Sequence, residues 1–155
     1  MAKNKAPRKK HTARATATPI MTGTLKAELR DALTDGQIGM MLADEPNYGH
    51  LLNMAAPLYT IYWAMRRAPY KRPETDPDMR VVEGGLSVIY KLHEFAQKHD
   101  GKFMHLKGWD VTTMTAASNR AIELLEQINI LEPLVFAYNQ AAQRGWAAPI
   151  FNGGK

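Results

Sequence analysis

The sequence predicts an all-α protein, a helical bundle or orthogonal helical array of four to six helices with a disordered basic N-terminal tail. Apolar residues recur every three or four positions over most of the 155-residue chain, a spacing typical of amphipathic helices. Capping residues, prolines and glycines divide this pattern into segments of helical length. The first 20 residues hold cations and no large apolar side chain before Ile20, so they cannot bury enough surface to order on their own.

The positive charge is concentrated at the N-terminus. Residues 1–18 hold six of the 20 Lys and Arg residues and none of the 15 Asp and Glu residues, so the rest of the chain is nearly neutral. A basic segment beside a neutral body favours attraction to a polyanion, an acidic protein face or a membrane surface. We divide the chain into a disordered basic tail (1–20), a single helical domain (21–145) and a flexible C-terminal tail (146–155).

The first helix of the domain is predicted to begin at Thr22 or Thr24, because either residue can cap a segment that has leucines at a spacing of four. Asp35-Gly36 is predicted to end this helix. A second, short segment then covers residues 38–42.

The third predicted helix covers residues 47–68, where apolar residues form one face. Pro57 lies inside it and is expected to kink the helix or to begin a separate one. Residues 69–76 are rich in proline and charge, so they are predicted to form a linker.

The clearest start signal is Asp76-Pro77, an N-cap residue followed by proline at the first helical position. This helix is predicted to run to about Lys98. Gly84-Gly85 inside it is unfavourable by about 1 kcal/mol per glycine relative to alanine, so we expect another helix to approach closely there.

The last helix is predicted to cover residues 110–144, with a bend or break at Pro133. Gly145 is a plausible C-terminal stop. We find no internal repeat.

No group of residues matches a catalytic or metal-binding motif. The chain has no cysteine, and none of its five histidines pairs with an acid in an HExxH pattern. His93 falls on the apolar face of its helix, where a hydrogen-bonded core histidine is the usual explanation. Close acid pairs lie at helix ends or on a helix surface, where capping and the helix dipole explain them. We therefore expect no enzyme activity, no metal and no cofactor.

Two groups of residues are candidates for binding. An aromatic ring among cations, as at Tyr70, is typical of sites on which single-stranded nucleic acid stacks. The alternatives are a solubilising tail and a solvated helix end for the cations, and core packing for the aromatic residues. The residues predicted to bind a polyanion are Lys3, Lys5, Arg8, Lys9, Lys10, Arg14, Arg66, Arg67, Lys71 and Arg72. The aromatic residues predicted to be exposed and to bind a partner or a second copy are Phe103, Trp109, Trp146 and Phe151.

The order of segments resembles a known group of proteins. It runs from Ala6-Pro7-Arg8-Lys9-Lys10 through the Pro-Ile-Met transition at 19–21 and the segment Val81–Tyr90 to a long final helix. This order is similar to that of small basic helical accessory proteins encoded by proteobacterial tailed phages and prophages. Most members lack an assigned role, so the resemblance implies a context, action in the host cytoplasm, and no site residues.

Together these observations favour a non-enzymatic phage accessory protein that binds a host macromolecular complex and inhibits a defence or nucleic-acid-processing system. The alternatives are a nucleic-acid-binding accessory protein that uses its basic tail, and a minor virion or assembly component. The predicted partner is a host or defence protein complex, with nucleic acid or a second copy as further partners. No stretch is long and apolar enough to span a bilayer, so we expect no membrane partner.

Overall fold

The structure is a computed structural model that describes residues 10–42, 48–100 and 108–146, with side chains at 23–40, 49–100 and 108–146. These ranges contain five helices and no strand, which confirms the predicted all-α class. The helices are α1 (Lys10–Leu42), α2 (Tyr48–Arg66), α3 (Pro77–Lys98), α4 (Gly108–Leu125) and α5 (Leu131–Gln143).

Helix α2 is the centre of the fold, because it contacts each of the other four described helices. Every residue from Met54 to Tyr62 is buried, so no polar face runs along this part of the helix. A helix that is apolar all round is stable only when it is enclosed. Leucines 25, 29 and 33 of α1 and the buried residues of α3, α4 and α5 supply that enclosure.

Helix α1 begins earlier than the sequence predicted, at Lys10 instead of Thr22 or Thr24. Extending an existing helix gains one hydrogen bond for each residue fixed, so a stretch with no large apolar side chain before Ile20 can join it. Residues 1–9 lie outside the described part of the chain. The assignment of the tail as a separate unit therefore stays a prediction.

The predicted end of the first helix at Asp35-Gly36 is wrong, since α1 continues to Leu42 and includes the second predicted segment. Gly36 is buried where α1 crosses α2. A Cβ atom at Gly36 would lie 2.6 Å from Cγ of Met54 and 2.9 Å from its backbone nitrogen. A Cβ atom at Gly39, one turn on, would overlap the imidazole of His50. These glycines allow the close approach of two helices.

Helix α2 continues through Pro57, so the predicted kink or new helix start did not divide it. Proline removes one backbone hydrogen bond from a helix. Contacts of α2 with four neighbours hold it despite that loss. The segment from residue 67 to 76 has no helix, as predicted for the linker.

Helix α3 begins and ends where the sequence predicted. The Asp76 carboxylate accepts hydrogen bonds from the backbone nitrogens of Asp78 and Met79, and Pro77 is the first helical residue. The close approach predicted at Gly84-Gly85 is confirmed for Gly85 only. A Cβ atom at Gly85 would overlap Cβ of Ala117 in α4, whereas one at Gly84 would be 3.5 Å from Thr113, an ordinary contact.

The predicted last helix is two helices, α4 and α5, which are separated by residues 126–130. The break lies before Pro133, which occupies the first turn of α5, where proline is tolerated. Gly145 ends α5 as predicted, with φ of 83°. The backbone nitrogens of Gly145 and Trp146 donate to the carbonyls of Ala142 and Ala141, which is the Schellman motif.

Candidate functional site

An open groove of about 400 Å³ lies between the C-terminal end of α2 and helix α5. The groove residues from α2 are spaced by three and four, so they share one face of the helix. Those from α5 are four residues apart. The groove is lined by Tyr59, Trp63, Arg66, Arg67, Phe136 and Gln140.

Two large aromatic side chains in the groove are accessible to solvent. Trp63 and Phe136 are each 42% exposed, although the neighbours of Trp63 in α2 are almost all buried. The Trp63 ring lies 6.2 Å from that of Tyr59 and 5.1 Å from that of Tyr62, measured between centroids. These contacts support one side of the Trp63 ring and leave an apolar surface facing the groove.

Arg67 forms part of the groove wall. Its Nε and Nη2 atoms donate to the carboxylate of Glu132 at 3.1 and 2.8 Å, and its guanidinium lies 3.7 Å from the Phe136 ring centroid. The hydrogen bonds with Glu132 raise the pKa of Arg67, and the hydrogen bonds from Arg67 lower the pKa of Glu132. This pair therefore stays ionised and keeps Arg67 stacked on Phe136.

The positive charges of Arg66 and Arg144 are less completely paired with carboxylates than that of Arg67. Nη1 of Arg66 donates to the Tyr62 hydroxyl at 3.2 Å, and the nearest carboxylate, that of Glu74, is 3.9 Å away. Arg144 lies 5.1 Å from the Tyr59 ring centroid and forms no salt bridge with any residue that the structure describes. Two guanidinium groups with spare donors thus lie against aromatic residues of the groove.

The second predicted polyanion-binding cluster consists of Arg66, Arg67, Lys71 and Arg72, and most of it is paired within the protein. Arg72 contacts the carboxylates of Asp76 and Asp78 at 3.2 and 3.1 Å. It also donates to the side chain of Gln127 at 2.8 Å. Lys71 is exposed and has a φ of 49°. Three of the four cations therefore contact a carboxylate, which weakens the attraction of the cluster for a chain of phosphates.

Tyr70 does not offer a free ring face of the kind predicted for stacking. Its hydroxyl accepts a hydrogen bond from the backbone nitrogen of Asn129 at 2.9 Å, and the ring packs against the core. Tyr70 thus fastens the segment after α2 to the connection between α4 and α5.

The predicted binding residues of the tail are only partly within the structure. Lys3, Lys5, Arg8 and Lys9 lie outside the described residues. Lys10 and Arg14 belong to the backbone of α1, but their side chains are outside the described set.

The four aromatic residues predicted to bind a partner do not form one surface. Trp109 is 60% exposed, and Nζ of Lys91 lies 5.1 Å from its ring. The expectation that Trp146 is exposed is wrong: it is 6% exposed, since the Schellman motif turns the chain back onto Tyr59 and Tyr90. Phe103 and Phe151 lie outside the described residues.

Sequence reasoning missed Trp63, Phe136 and Arg144. A signal was present, because Trp63 falls outside the apolar face predicted for its helix, and Phe136 falls outside that of the last helix. A large aromatic residue away from the core-facing stripe is either packed by an unpredicted neighbour or left on the surface. Here the second case applies.

The histidines whose side chains the structure describes form no metal site. Within the described ranges no group of three or more His, Asp and Glu side chains is arranged to hold a metal ion. His93 is partly buried near Trp146, and His99 stacks on Phe95 with a centroid distance of 3.8 Å. The position of His93 agrees with a packing role.

None of the helices in the described ranges combines the length and apolarity that a bilayer span requires. The sequence matches no known protein family, and it has no significant similarity to a curated protein or to a solved structure.

Proposed function

We propose that this protein is a non-enzymatic accessory protein that binds a protein component of a host macromolecular complex through the groove between α2 and α5. One observation carries the proposal: Trp63 and Phe136, each 42% exposed, lie in one groove with two arginines. Tryptophan, tyrosine and arginine are enriched among the residues that dominate binding energy at protein interfaces. Exposed apolar side chains gathered in a groove are typical of such surfaces.

The charge balance around the groove supports a protein partner over a nucleic acid. Nucleic-acid affinity grows with the number of phosphates that cations neutralise. The carboxylate of Glu132 binds Arg67 in the groove wall at 2.8 Å. It would repel a phosphate chain that passes over the groove, whereas it does not affect burial of an apolar side chain against Trp63.

The resemblance to phage accessory proteins supports a partner in the host cytoplasm, and inhibition of a defence or nucleic-acid-processing system is the activity that we propose there. The alternative, nucleic-acid binding, rests on the six cations of residues 1–18. If they contacted six phosphates, log K would fall against log salt with a slope of about −5. Binding that depends on the groove should change far less with salt, because ions do not screen apolar burial.

Affinity capture from nuclease-treated lysate of the host tests the proposal. We compare the parent with the double variant Trp63→Ala/Phe136→Ala and with Ile38→Ala, which removes an apolar side chain that is 51% exposed on α1. We expect the parent and Ile38→Ala to retain the same proteins through nuclease and high-salt washes. The double variant should lose at least tenfold of that signal, since interface tryptophans often contribute 2 kcal/mol or more.

Two results would contradict the proposal. Loss of all captured protein after nuclease treatment would favour the nucleic-acid alternative. Loss in Trp109→Ala, with full retention in the double variant, would place the partner on the surface around Trp109 instead.

A further inference from the structure

The groove has an apolar middle, with Arg66 in its lining and Arg144 next to it, against the ring of the lining residue Tyr59. Trp63 and Phe136 provide the exposed apolar surface. The Arg66 guanidinium lies 5.7 Å from the Trp63 ring centroid, and that of Arg144 lies 5.1 Å from the Tyr59 ring centroid. The ligand class that matches this arrangement has an apolar group between negative charges.

The two cations have unused hydrogen-bond donors. A guanidinium has five N–H groups, and Arg66 uses one of them on the Tyr62 hydroxyl at 3.2 Å. Its ion pair with Glu74 is 3.9 Å long, too long for a hydrogen bond. Arg144 forms no ion pair with any of the described residues. Arginine is weakly hydrated, so less hydration is lost when a carboxylate approaches it than with lysine. Carboxylates can therefore form charge-assisted hydrogen bonds here without breaking a strong internal pair.

Arg67 differs from these two residues, because its donors already bind Glu132 in a bidentate manner. The Glu132 carboxylate carries a negative charge beside Phe136. A ligand with evenly spaced phosphates would meet this charge wherever it passed over the middle of the groove. A peptide can place an uncharged side chain there and keep its carboxylates at the two sides.

Resting on the proposed function, we infer that the occupant of the groove is an acidic peptide segment of the partner with one aromatic anchor residue. The anchor side chain packs between Trp63 and Phe136. Carboxylates on either side of it bind Arg66 and Arg144. A volume of about 400 Å³ suits one large side chain with its neighbouring backbone, and it lies in the range of specific ligand sites.

Fluorescence polarisation with defined peptides tests this inference. The probe is fluorescein-labelled Gly-Glu-Asp-Phe-Asp-Glu-Gly, and two matched peptides replace its acids by the corresponding amides or its phenylalanine by serine. A labelled thymidylate dodecamer is the nucleic-acid probe. We expect the acidic phenylalanine peptide to bind at least tenfold more tightly than each of the other three probes.

Variants of the full chain assign the contacts. Arg66→Gln and Arg144→Gln should each weaken binding of the acidic peptide about threefold to tenfold, the range between an exposed ion pair and a charge-assisted hydrogen bond. Both substitutions should leave the affinity for the amide peptide unchanged. Arg80→Gln removes the same charge from an exposed position on α3, a helix that does not contact α5, so it should have no effect.

Three results would overturn the inference. Equal affinity for the acidic and amide peptides would show that the ligand is not acidic. Tighter binding of the oligonucleotide that is lost in Trp63→Ala would identify a nucleic acid as the occupant. A dimer in sedimentation velocity that is lost in Trp63→Ala would identify a second copy of this chain.

The peptide assay and the capture experiment fail independently. If the peptides do not discriminate but Trp63→Ala/Phe136→Ala still loses the captured proteins, only the acidic occupant is wrong. If the double variant retains every captured protein, the proposed function is wrong as well.

Discussion

The two ends of helix α2 are packed in different ways. Near its start, α1 crosses so closely that Gly36 leaves no space for a methyl group beside Met54. At its other end, Trp63 and Phe136 remain 42% exposed, and arginines lie against the rings. Both ends are rich in large apolar residues, so composition alone does not distinguish them. The difference is whether a neighbouring helix can come near enough to cover them.

This contrast assigns a stabilising role to the first half of α2 and the proposed binding role to its C-terminal end. The crossing near Gly36 contributes buried apolar area and close packing, and any added atom must displace its neighbours. The groove end leaves apolar surface uncovered, which lowers the stability gained from burial and leaves that surface accessible to the partner that we propose. Substitutions at the crossing should therefore change unfolding free energy, and substitutions in the groove should mainly change binding.

The largest effect is expected for Gly36→Ala. Its methyl group would contact backbone as well as side-chain atoms of Met54, so α1 and α2 must move apart. Overpacking of this kind destabilises by about 1–3 kcal/mol. Gly23→Ala in the same helix is the matched control, because nothing lies within 4 Å of a Cβ atom there. The control should be more stable than the parent protein by up to about 1 kcal/mol, because alanine has a higher helix propensity than glycine.

Urea unfolding followed by far-ultraviolet circular dichroism measures both variants. If Gly36→Ala were as stable as Gly23→Ala, the two helices would not be in close contact at the crossing.

A second, smaller effect is expected where α3 meets α4. Gly85→Ala should destabilise by about 1–2 kcal/mol, because its methyl group would overlap that of Ala117. Gly84→Ala should instead stabilise by up to about 1 kcal/mol, since its methyl group makes an ordinary contact with Thr113. The double variant Gly85→Ala/Ala117→Gly exchanges the two methyl groups. It should recover stability beyond the sum of the single changes, as a double-mutant cycle would reveal. Additive losses would contradict the proposed overlap.

The features that could be predicted from the sequence are those fixed by local interactions. Asp76-Pro77 predicted the start of α3 correctly, because the bonds that cap a helix join residues two or three positions apart. Gly145 predicted the end of α5 for a similar reason. The end predicted at Asp35-Gly36 was wrong, since a glycine that stops a helix and a glycine that allows a crossing have the same sequence signal. Only the position of α2 distinguishes them.

The candidate groove was not predicted for a related reason. Exposure of Trp63 depends on where α5 ends up, and α5 is some 70 residues further along the chain. The cluster of Arg66, Arg67 and Arg72 was correctly recognised as basic. Two of its partners, Glu132 and Gln127, are distant in sequence, so that part of its pairing could not be read from the sequence. Charge along the chain therefore overstated the positive potential of this surface.

The smallest predicted effect tests the pairing of Arg72, a member of this cluster. Asp78 accepts a hydrogen bond from Arg120 and contacts Arg72, and these cations lower the pKa of its carboxyl group. The pKa of Asp78 is lower in the folded than in the unfolded protein. The contribution of its ion pairs to the free energy of unfolding is therefore complete at pH values above the unfolded pKa of about 3.9. It is lost as the pH falls through the lower, folded value.

Asp78→Asn should accordingly lower the unfolding free energy at pH 7 by no more than about 1 kcal/mol, as expected for a partly exposed ion pair. The difference from the parent should shrink as the pH is lowered through and below 3.9. Asp31→Asn is the control, because Asp31 is exposed on α1 and contributes to none of the ion pairs among the described residues. A loss for Asp78→Asn that is equal at pH 7 and pH 2.5 would mean that its carboxylate contributes through packing and not through charge. Arg72 would then be less neutralised than the geometry indicates, and the predicted cluster of Arg66, Arg67, Lys71 and Arg72 would attract phosphates more strongly than its pairing suggests.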